Sequence, residues 1–109
     1  MNTGGLSIIR RNDIINNTIY NNLGVGISLR YNNTLITNNT LYNNYSGLYT
    51  PSDTILAVNN VSYNNNDNYI GSYLTGSANN LSGPTQTDAP GVNPQNAKTV
   101  AFQNAAAGD

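Results

Sequence analysis

Residues 38–44 read Asn-Asn-Thr-Leu-Tyr-Asn-Asn, and residues 16–22 read the same except that Ile19 replaces the leucine. A weaker copy, Asn-Asn-Val-Ser-Tyr-Asn-Asn, occupies residues 59–65. The step between the first two copies is 22 residues, and the next step is 21. A fixed step of this size is the sequence signature of a repeat architecture, in which each repeat stacks on the next. The sequence therefore predicts a solenoid.

The residues around each copy indicate that the repeats are made of short strands. A glycine followed by an apolar residue opens three units, at Gly5, Gly26 and Gly47, and a degraded fourth unit contains Ile70-Gly71. Apolar residues then alternate, as at Ile27 and Leu29, which is strand periodicity. Gly, Asn, Ser and Thr interrupt each apolar segment within a few residues. Helix is therefore not expected between residues 5 and 83.

Three kinds of solenoid share some of these features. Leucine-rich repeats have the length, but their return segment normally carries regular leucines in helical sequence. Left-handed hexapeptide helices need a step of six residues, which steps of 21 and 22 do not contain. We therefore predict an all-β, right-handed parallel β-helix of about three to four coils of 21–22 residues, spanning residues 1–83. Residues 84–109, in which Pro and Gly recur without a repeat, are predicted to form an irregular tail.

The pattern also resembles a known group of proteins. A Gly-(Ile/Leu) opening followed by Ile-x-x-Asn-x-(Ile/Leu), at residues 14–19 and 36–41, is similar to the β-helix repeats of the pectin-lyase-like superfamily. Asn93-Pro94 and residues 102–109 resemble the segment that follows the helix in many secreted bacterial members. The resemblance implies a secreted, periplasmic or cell-surface protein, of which this chain is a truncated, carboxyl-proximal fragment. Further coils of the same chain would then precede it.

The doubled asparagines have a structural interpretation. Identical residues of stacked coils lie above one another, so an inward asparagine amide donates to the asparagine carbonyl of the next coil. The register predicts such a ladder, together with an inner aliphatic column that thins toward the carboxyl end. The ladder residues are Asn17, Asn39, Asn60 and Asn80, and the inner column is Ile14, Ile36, Ala57 and Ser77.

The composition argues against several kinds of site. The chain has no His or Cys and five acidic residues, and Asp13 falls beside the aliphatic Leu35 in the repeat register. Calcium-dependent lyase chemistry needs clustered carboxylates and a base. We therefore expect no catalytic residue, no metal site and no cofactor, with Ca²⁺ involved only if the full-length protein is a lyase. Four basic residues are too few for a nucleic-acid surface, and no apolar segment is long enough for a membrane span.

The best outward feature is a column of tyrosines, Tyr20, Tyr42 and Tyr63, each three residues after a ladder asparagine. Stacked rings could provide a surface for sugar rings, but cross-strand packing that stabilises the sheet is the favoured explanation. Arg30 is a second candidate contact, for an acidic saccharide. The sequence thus predicts a structural or carbohydrate-contacting β-helix segment. The alternatives are a fragment of a polysaccharide lyase or epimerase with its catalytic coils upstream, and the shaft of a phage tail-spike or adhesin.

Overall fold

The computed structural model describes residues 4–8, 13–30, 33–51 and 54–103. These residues form eleven short β-strands and no helix, so the predicted all-β class is confirmed. In chain order the strands are β1 (Leu6–Ile8), β2 (Ile14–Ile15), β3 (Thr18–Tyr20), β4 (Val25–Leu29), β5 (Leu35–Thr37), β6 (Thr40–Tyr42), β7 (Ser46–Thr50), β8 (Leu56–Val58), β9 (Val61–Tyr63), β10 (Asp67–Gly71) and β11 (Leu81–Gly83).

The strands form three parallel sheets along the axis of a solenoid. The first sheet has the order β1-β4-β7-β10, the second β2-β5-β8, and the third β3-β6-β9-β11. Each of the first three coils contributes one strand to each sheet, as β1–β3, β4–β6 and β7–β9. The fourth coil contributes β10 to the first sheet and β11 to the third. Hydrogen bonds between successive ladder positions span 22, 21 and then 20 residues. In the first sheet the step is 21 residues throughout, so the differences lie in the loops between sheets. The predicted β-solenoid is confirmed.

The interior is a column of side chains from successive coils. In the second sheet Ile14 lies beside Ile36, and Ile36 beside Ala57. The Ala57 amide donates to the Ser77 hydroxyl at 3.1 Å, so the fourth coil continues the column with a polar residue. Leu29, Leu41 and Leu48 are fully buried and fill the space between the sheets. Burial of these apolar surfaces is the main driving force for stacking the coils.

Two asparagine corners connect the strands of each coil. In the pairs that form these corners the first asparagine has a positive φ, between 51° and 59°, at Asn16, Asn21, Asn38, Asn43, Asn59, Asn64 and Asn79. Asparagine and glycine adopt this left-handed conformation at the lowest steric cost. One such residue turns the chain sharply enough to start the next strand, which explains why each repeat needs two pairs.

The glycine that opens each repeat marks a close approach of backbones. A Cβ atom on Gly26 would lie 2.9 Å from the Gly47 carbonyl oxygen. A Cβ atom on Gly47 would overlap the Ser62 hydroxyl and the Asn68 carbonyl oxygen. A side chain at these positions would therefore push neighbouring strands of the solenoid apart.

Residues beyond β11 fold back over the fourth coil. Val92 and Gln95 form isolated parallel bridges with Ala78 and Leu81, respectively. Asn93 Nδ2 donates to Asn79 Oδ1 at 2.9 Å, which extends one asparagine corner by a further step. These residues cover part of the carboxyl end of the solenoid; the division of the chain at residue 83 stays a prediction. Among the described residues no helix has the length and apolar character needed to cross a membrane.

Candidate functional site: asparagine ladders and the tyrosine column

The predicted asparagine ladder is present and runs through the four coils. The backbone N–H and Nδ2 of Asn17 both donate to Asn39 Oδ1, at 2.9 and 3.1 Å. Asn39 donates in the same way to Asn60 Oδ1, and Asn60 donates to Asn80 Oδ1. The remaining Nδ2 proton of Asn39 reaches the Ile14 carbonyl of the preceding coil at 2.8 Å. Asn39, Asn60 and Asn80 are at most 1% exposed, so the ladder satisfies amides that would otherwise be buried without partners.

A second ladder, not predicted from the sequence, lies at the other asparagine corner. Asn22 N–H and Nδ2 donate to Asn44 Oδ1 at 3.2 and 2.8 Å, and the Asn44 N–H donates to Asn65 Oδ1 at 2.7 Å. All three side chains are buried. The signal in the sequence is the second doubled pair of each repeat, in which the first asparagine forms the turn and the second points inward.

The second ladder ends on residues of the fourth coil and the tail. Asn65 Nδ2 donates to Asn68 Oδ1 at 2.8 Å, so Asn68 takes the place of a fourth ladder asparagine. The Asp88 carboxylate then accepts hydrogen bonds from the backbone N–H groups of Asn68 and Tyr69, at 3.0 and 2.9 Å, and from the Ser82 hydroxyl. A tail carboxylate thus satisfies the donors at the start of β10.

The three tyrosines occupy successive coils of the third sheet. Tyr20 is in register with Tyr42, and Tyr42 with Tyr63. The rings of Tyr42 and Tyr63 are stacked, with centroids 6.3 Å apart and planes inclined by 16°. Tyr20 is 38% exposed, whereas Tyr42 and Tyr63 are half-buried. We call these three residues the tyrosine column.

Phe102, from the tail, packs on the lower part of the tyrosine column. Its ring centroid lies 4.8 Å from that of Tyr42 and 5.5 Å from that of Tyr63. The Phe102 ring plane is inclined by 53° to that of Tyr42 and by 67° to that of Tyr63, and tilted arrangements of this kind are favourable for aromatic pairs. The column is therefore in part an internal packing surface, and Tyr20 is its most exposed ring.

A column of asparagine side chains runs directly beside the tyrosines. Asn43 Nδ2 donates to Asn21 Oδ1 at 2.8 Å, and Asn64 Nδ2 lies 3.4 Å from Asn43 Oδ1. Asn43 and Asn64 are exposed and Asn21 is half-buried. We call Asn21, Asn43 and Asn64 the amide column. Uncharged donors and acceptors beside aromatic rings match the two faces of a sugar, which has apolar C–H groups and polar hydroxyls.

The other candidate residues lie elsewhere. Arg30 is exposed and follows β4 of the first sheet, so it is not on the sheet of the tyrosines. Asp13 accepts a hydrogen bond from the Leu35 N–H at 3.4 Å, which places it beside the aliphatic residue expected from the register. The described residues contain no group of three or more acidic, His or Cys side chains that could hold a metal ion.

Comparisons with known proteins agree with this architecture. The sequence profile of the family described as "Right handed beta helix region" matches residues 2–105. No curated protein and no solved structure matched the chain. The profile covers nearly the whole chain, and the described residues form the parallel coils that it requires. The chain therefore belongs to the right-handed β-helix family.

Proposed function

We propose that this β-helix is a structural, carbohydrate-contacting segment of a secreted, periplasmic or cell-surface protein, without catalytic residues or a cofactor of its own. The observation that carries the proposal is the tyrosine column in register beside the amide column. One aromatic ring per coil offers a stacking position at each step along the solenoid axis, and the adjacent amides offer hydrogen bonds. An extended polysaccharide likewise repeats its sugar units along its length.

The ligand is expected to be neutral. The tyrosine and amide columns contain no charged side chain, and Arg30 lies on another sheet. Ring stacking and hydrogen bonds from uncharged amides depend little on ionic strength, because screening acts on charges. If each contact contributes about 0.5–1.5 kcal/mol, three contacts give a dissociation constant near millimolar at best.

Phe102 limits how much of the column a sugar reaches. Its ring contacts Tyr42 and Tyr63, so a saccharide and Phe102 compete for these two tyrosines. Tyr20 has no such contact with Phe102 and is 38% exposed. We therefore place the first sugar contact at Tyr20, with further contacts available when Phe102 moves away.

A titration with soluble neutral and acidic polysaccharides, followed by tyrosine fluorescence or calorimetry, tests the proposal. Binding to a neutral chain should be weak and nearly independent of salt. Tyr20→Ala should weaken it several-fold, and Phe102→Ala should strengthen it by exposing Tyr42 and Tyr63. Tyr45→Ala is the matched control, because Tyr45 is 60% exposed but lies outside the column.

Two results would contradict the proposal. Equal weakening by the Tyr20 and Tyr45 substitutions would show that exposed tyrosines bind sugars without regard to the column. Formation of an unsaturated product that absorbs in the ultraviolet, with or without Ca²⁺, would show lyase activity in this chain.

A further inference from the structure

Two rows of side chains run along the solenoid at its first asparagine corner, which joins the second sheet to the third. At this corner a residue with an aliphatic or hydroxyl side chain directly precedes an asparagine, once in each of the four coils and once in the tail. Parallel pairing keeps these positions in register. We call Ile15, Thr37, Val58, Ala78 and Val92 the flanking row, and Asn16, Asn38, Asn59, Asn79 and Asn93 the outer amide row.

The outer amide row is exposed, and most of its amides are not bonded to one another. All five asparagines are exposed and have a φ between 54° and 59°, so each side chain leaves the same backbone conformation. In the amide column of the second corner, neighbouring side chains are hydrogen-bonded. In the outer amide row only Asn93 and Asn79 are joined in this way. Among the described residues, the side-chain amides of Asn16, Asn38 and Asn59 have no hydrogen-bond partner.

The flanking row adds apolar surface beside these amides. Ile15 and Val92, at its two ends, are 45% and 65% exposed, and the three residues between them are half-buried. None of the ten side chains in the two rows is charged. The rows cover four inter-strand steps of about 4.8 Å, so they are about 19 Å long. The corner thus presents an uncharged ridge with unpaired amides on one side and aliphatic groups on the other.

The interval between the amides determines which partner fits. A primary amide carries two N–H donors and a carbonyl acceptor, so one amide can bond another. Two rows of amides can therefore pair at every position, provided that their intervals are equal. A second copy of this chain meets the condition, because its own coils set the same interval. The absence of charge in both rows means that no like charges oppose the contact.

A two-fold axis perpendicular to the solenoid axis brings each row against its like. The two copies then run antiparallel, and the axis passes beside the middle pair of the rows, Val58 and Asn59. Asn38 faces the partner's Asn79, and Ile15 faces the partner's Val92, so the two most exposed aliphatic side chains of the row cover each other. A two-fold axis parallel to the solenoid would put the two flanking rows on opposite sides of the amides and leave these side chains uncovered.

We propose that the first asparagine corner is an interface for a second copy of this chain, formed by the outer amide row and the flanking row about a two-fold axis near Asn59. The contact is short, and interfaces that bury less than about 1,200 Å² are usually weak. The dimer should therefore be reversible and dissociate on dilution. The tyrosine column lies at the other end of the third-sheet strands, so the interface is separate from the proposed sugar surface.

The position of the axis is tested by cross-linking, because the chain has no cysteine of its own. Asn59→Cys places a thiol opposite the same thiol of the second copy. Under mild oxidation this variant should form a disulfide-linked dimer about tenfold or more faster than Asn64→Cys, since the interface raises the effective concentration of the thiols. Asn64 is the matched control, an exposed asparagine of the other corner with a φ of 54° against 56° for Asn59. Equal rates would show random collision and overturn the proposal.

The register is tested with charges at Asn38 and Asn79, which face each other across the axis. Asn38→Asp with Asn79→Asp opposes like charges and should weaken the dimer, measured by sedimentation equilibrium, by about tenfold or more. Asn38→Lys with Asn79→Asp pairs opposite charges at the same positions and should associate at least as tightly as the original chain. Circular dichroism checks that both variants are folded. Equal association of the two folded variants, or an original chain that stays monomeric up to about 1 mM, would overturn the proposal.

Discussion

At the scale of the residue, asparagine has two different roles in adjacent positions. In the doubled pairs of the two corners the first asparagine has a positive φ and turns the chain, as Asn38 does, and the second points inward and joins a ladder, as Asn39 does. The first role uses the low cost of the left-handed conformation, and the second uses an amide that is both donor and acceptor. No other residue type meets both demands, which explains the high asparagine content of the chain.

The two roles predict different costs of substitution at Asn39 and Asn43. Asn39→Leu removes the acceptor of the Asn17 bonds and the donors to Asn60 and Ile14. Each buried partner left unpaired costs about 1–3 kcal/mol, so we expect a loss of about 3 kcal/mol or more in the free energy of unfolding. Urea denaturation, followed by circular dichroism, measures this loss.

Asn43→Gly is the control for this prediction. Glycine keeps the positive φ of Asn43, and the side chain that it removes is exposed. We expect a change within about 0.5 kcal/mol. Similar losses for both variants would contradict the assignment of the inward and outward roles.

The sequence predicts the first ladder but not the second, for a physical reason. The nearly constant step between Asn17, Asn39 and Asn60, and their position after an apolar strand, predict the first ladder. At the second corner, an asparagine points inward or outward depending on the residue at which the chain turns. The sequence does not show whether the turn lies at the first or the second asparagine of the pair. The inward orientation of Asn44 follows only once the left-handed conformation of Asn43 is known.

At the scale of the element, the ends of the strands depend on side chains from distant parts of the chain. β10 begins at Asp67, and the N–H groups of Asn68 and Tyr69 donate to the Asp88 carboxylate. The contact joins a strand of the first sheet to the tail, which has no repeat. Neither this contact nor the packing of Phe102 on Tyr42 could be predicted from the register, because the register relates only residues one coil apart.

The Asp88 contacts predict a large effect of removing its carboxylate. Asp88→Ala leaves two backbone donors and the Ser82 hydroxyl without their acceptor. Hydrogen bonds to a charged group contribute about 1.5–3 kcal/mol each, and some of these groups gain water, so we expect a loss of about 2–3 kcal/mol. The control is Asp67→Ala, which removes an exposed carboxylate at the start of β10. It should change the free energy of unfolding by less than about 0.5 kcal/mol. Thermal unfolding of both variants distinguishes them, and equal melting temperatures would contradict the role of Asp88.

At the scale of the whole molecule, the described residues form a short block of three complete coils and a partial fourth, with extents of 33 × 30 × 21 Å. A buried tyrosine, Tyr69, and a partly buried one, Tyr73, join its last coils. The Tyr69 hydroxyl lies 3.0 Å from the Asn60 carbonyl oxygen and 3.1 Å from that of Leu81, and the rings of Tyr69 and Tyr73 meet at 79°. Burial raises the pKa of Tyr69 well above its ordinary value, and the charges of Tyr73 and Asp88 raise it further.

This raised pKa predicts a loss of stability at alkaline pH. Because the folded protein holds the Tyr69 proton more tightly than the unfolded chain does, its contribution is fully present below pH of about 10 and declines as the pH rises further. Burial also raises the pKa of Tyr73. Tyr69→Phe should lower stability at pH 8, through loss of the hydroxyl contact, but should make the decline above pH of about 10 shallower. Urea midpoints measured from pH 8 to 11 test this.

Tyr45→Phe is the control for the alkaline prediction, since this ring is 60% exposed. It should leave the decline as steep as in the original chain. An identical decline in the Tyr69 and Tyr45 variants would contradict a special contribution from the buried phenol.

The tail has a geometric consequence for the end of the solenoid. In the first sheet successive coils are 21 residues apart, as from Ile27 to Leu48, whereas only 14 residues separate Asn79 from Asn93. At about 3.3 Å per residue, the length of chain available falls from about 69 Å to about 46 Å. The shorter segment cannot follow all three sheets, and Val92 and Gln95 bridge only to Ala78 and Leu81. The tail therefore takes a chord across the end of the solenoid, where each earlier coil follows its full circumference.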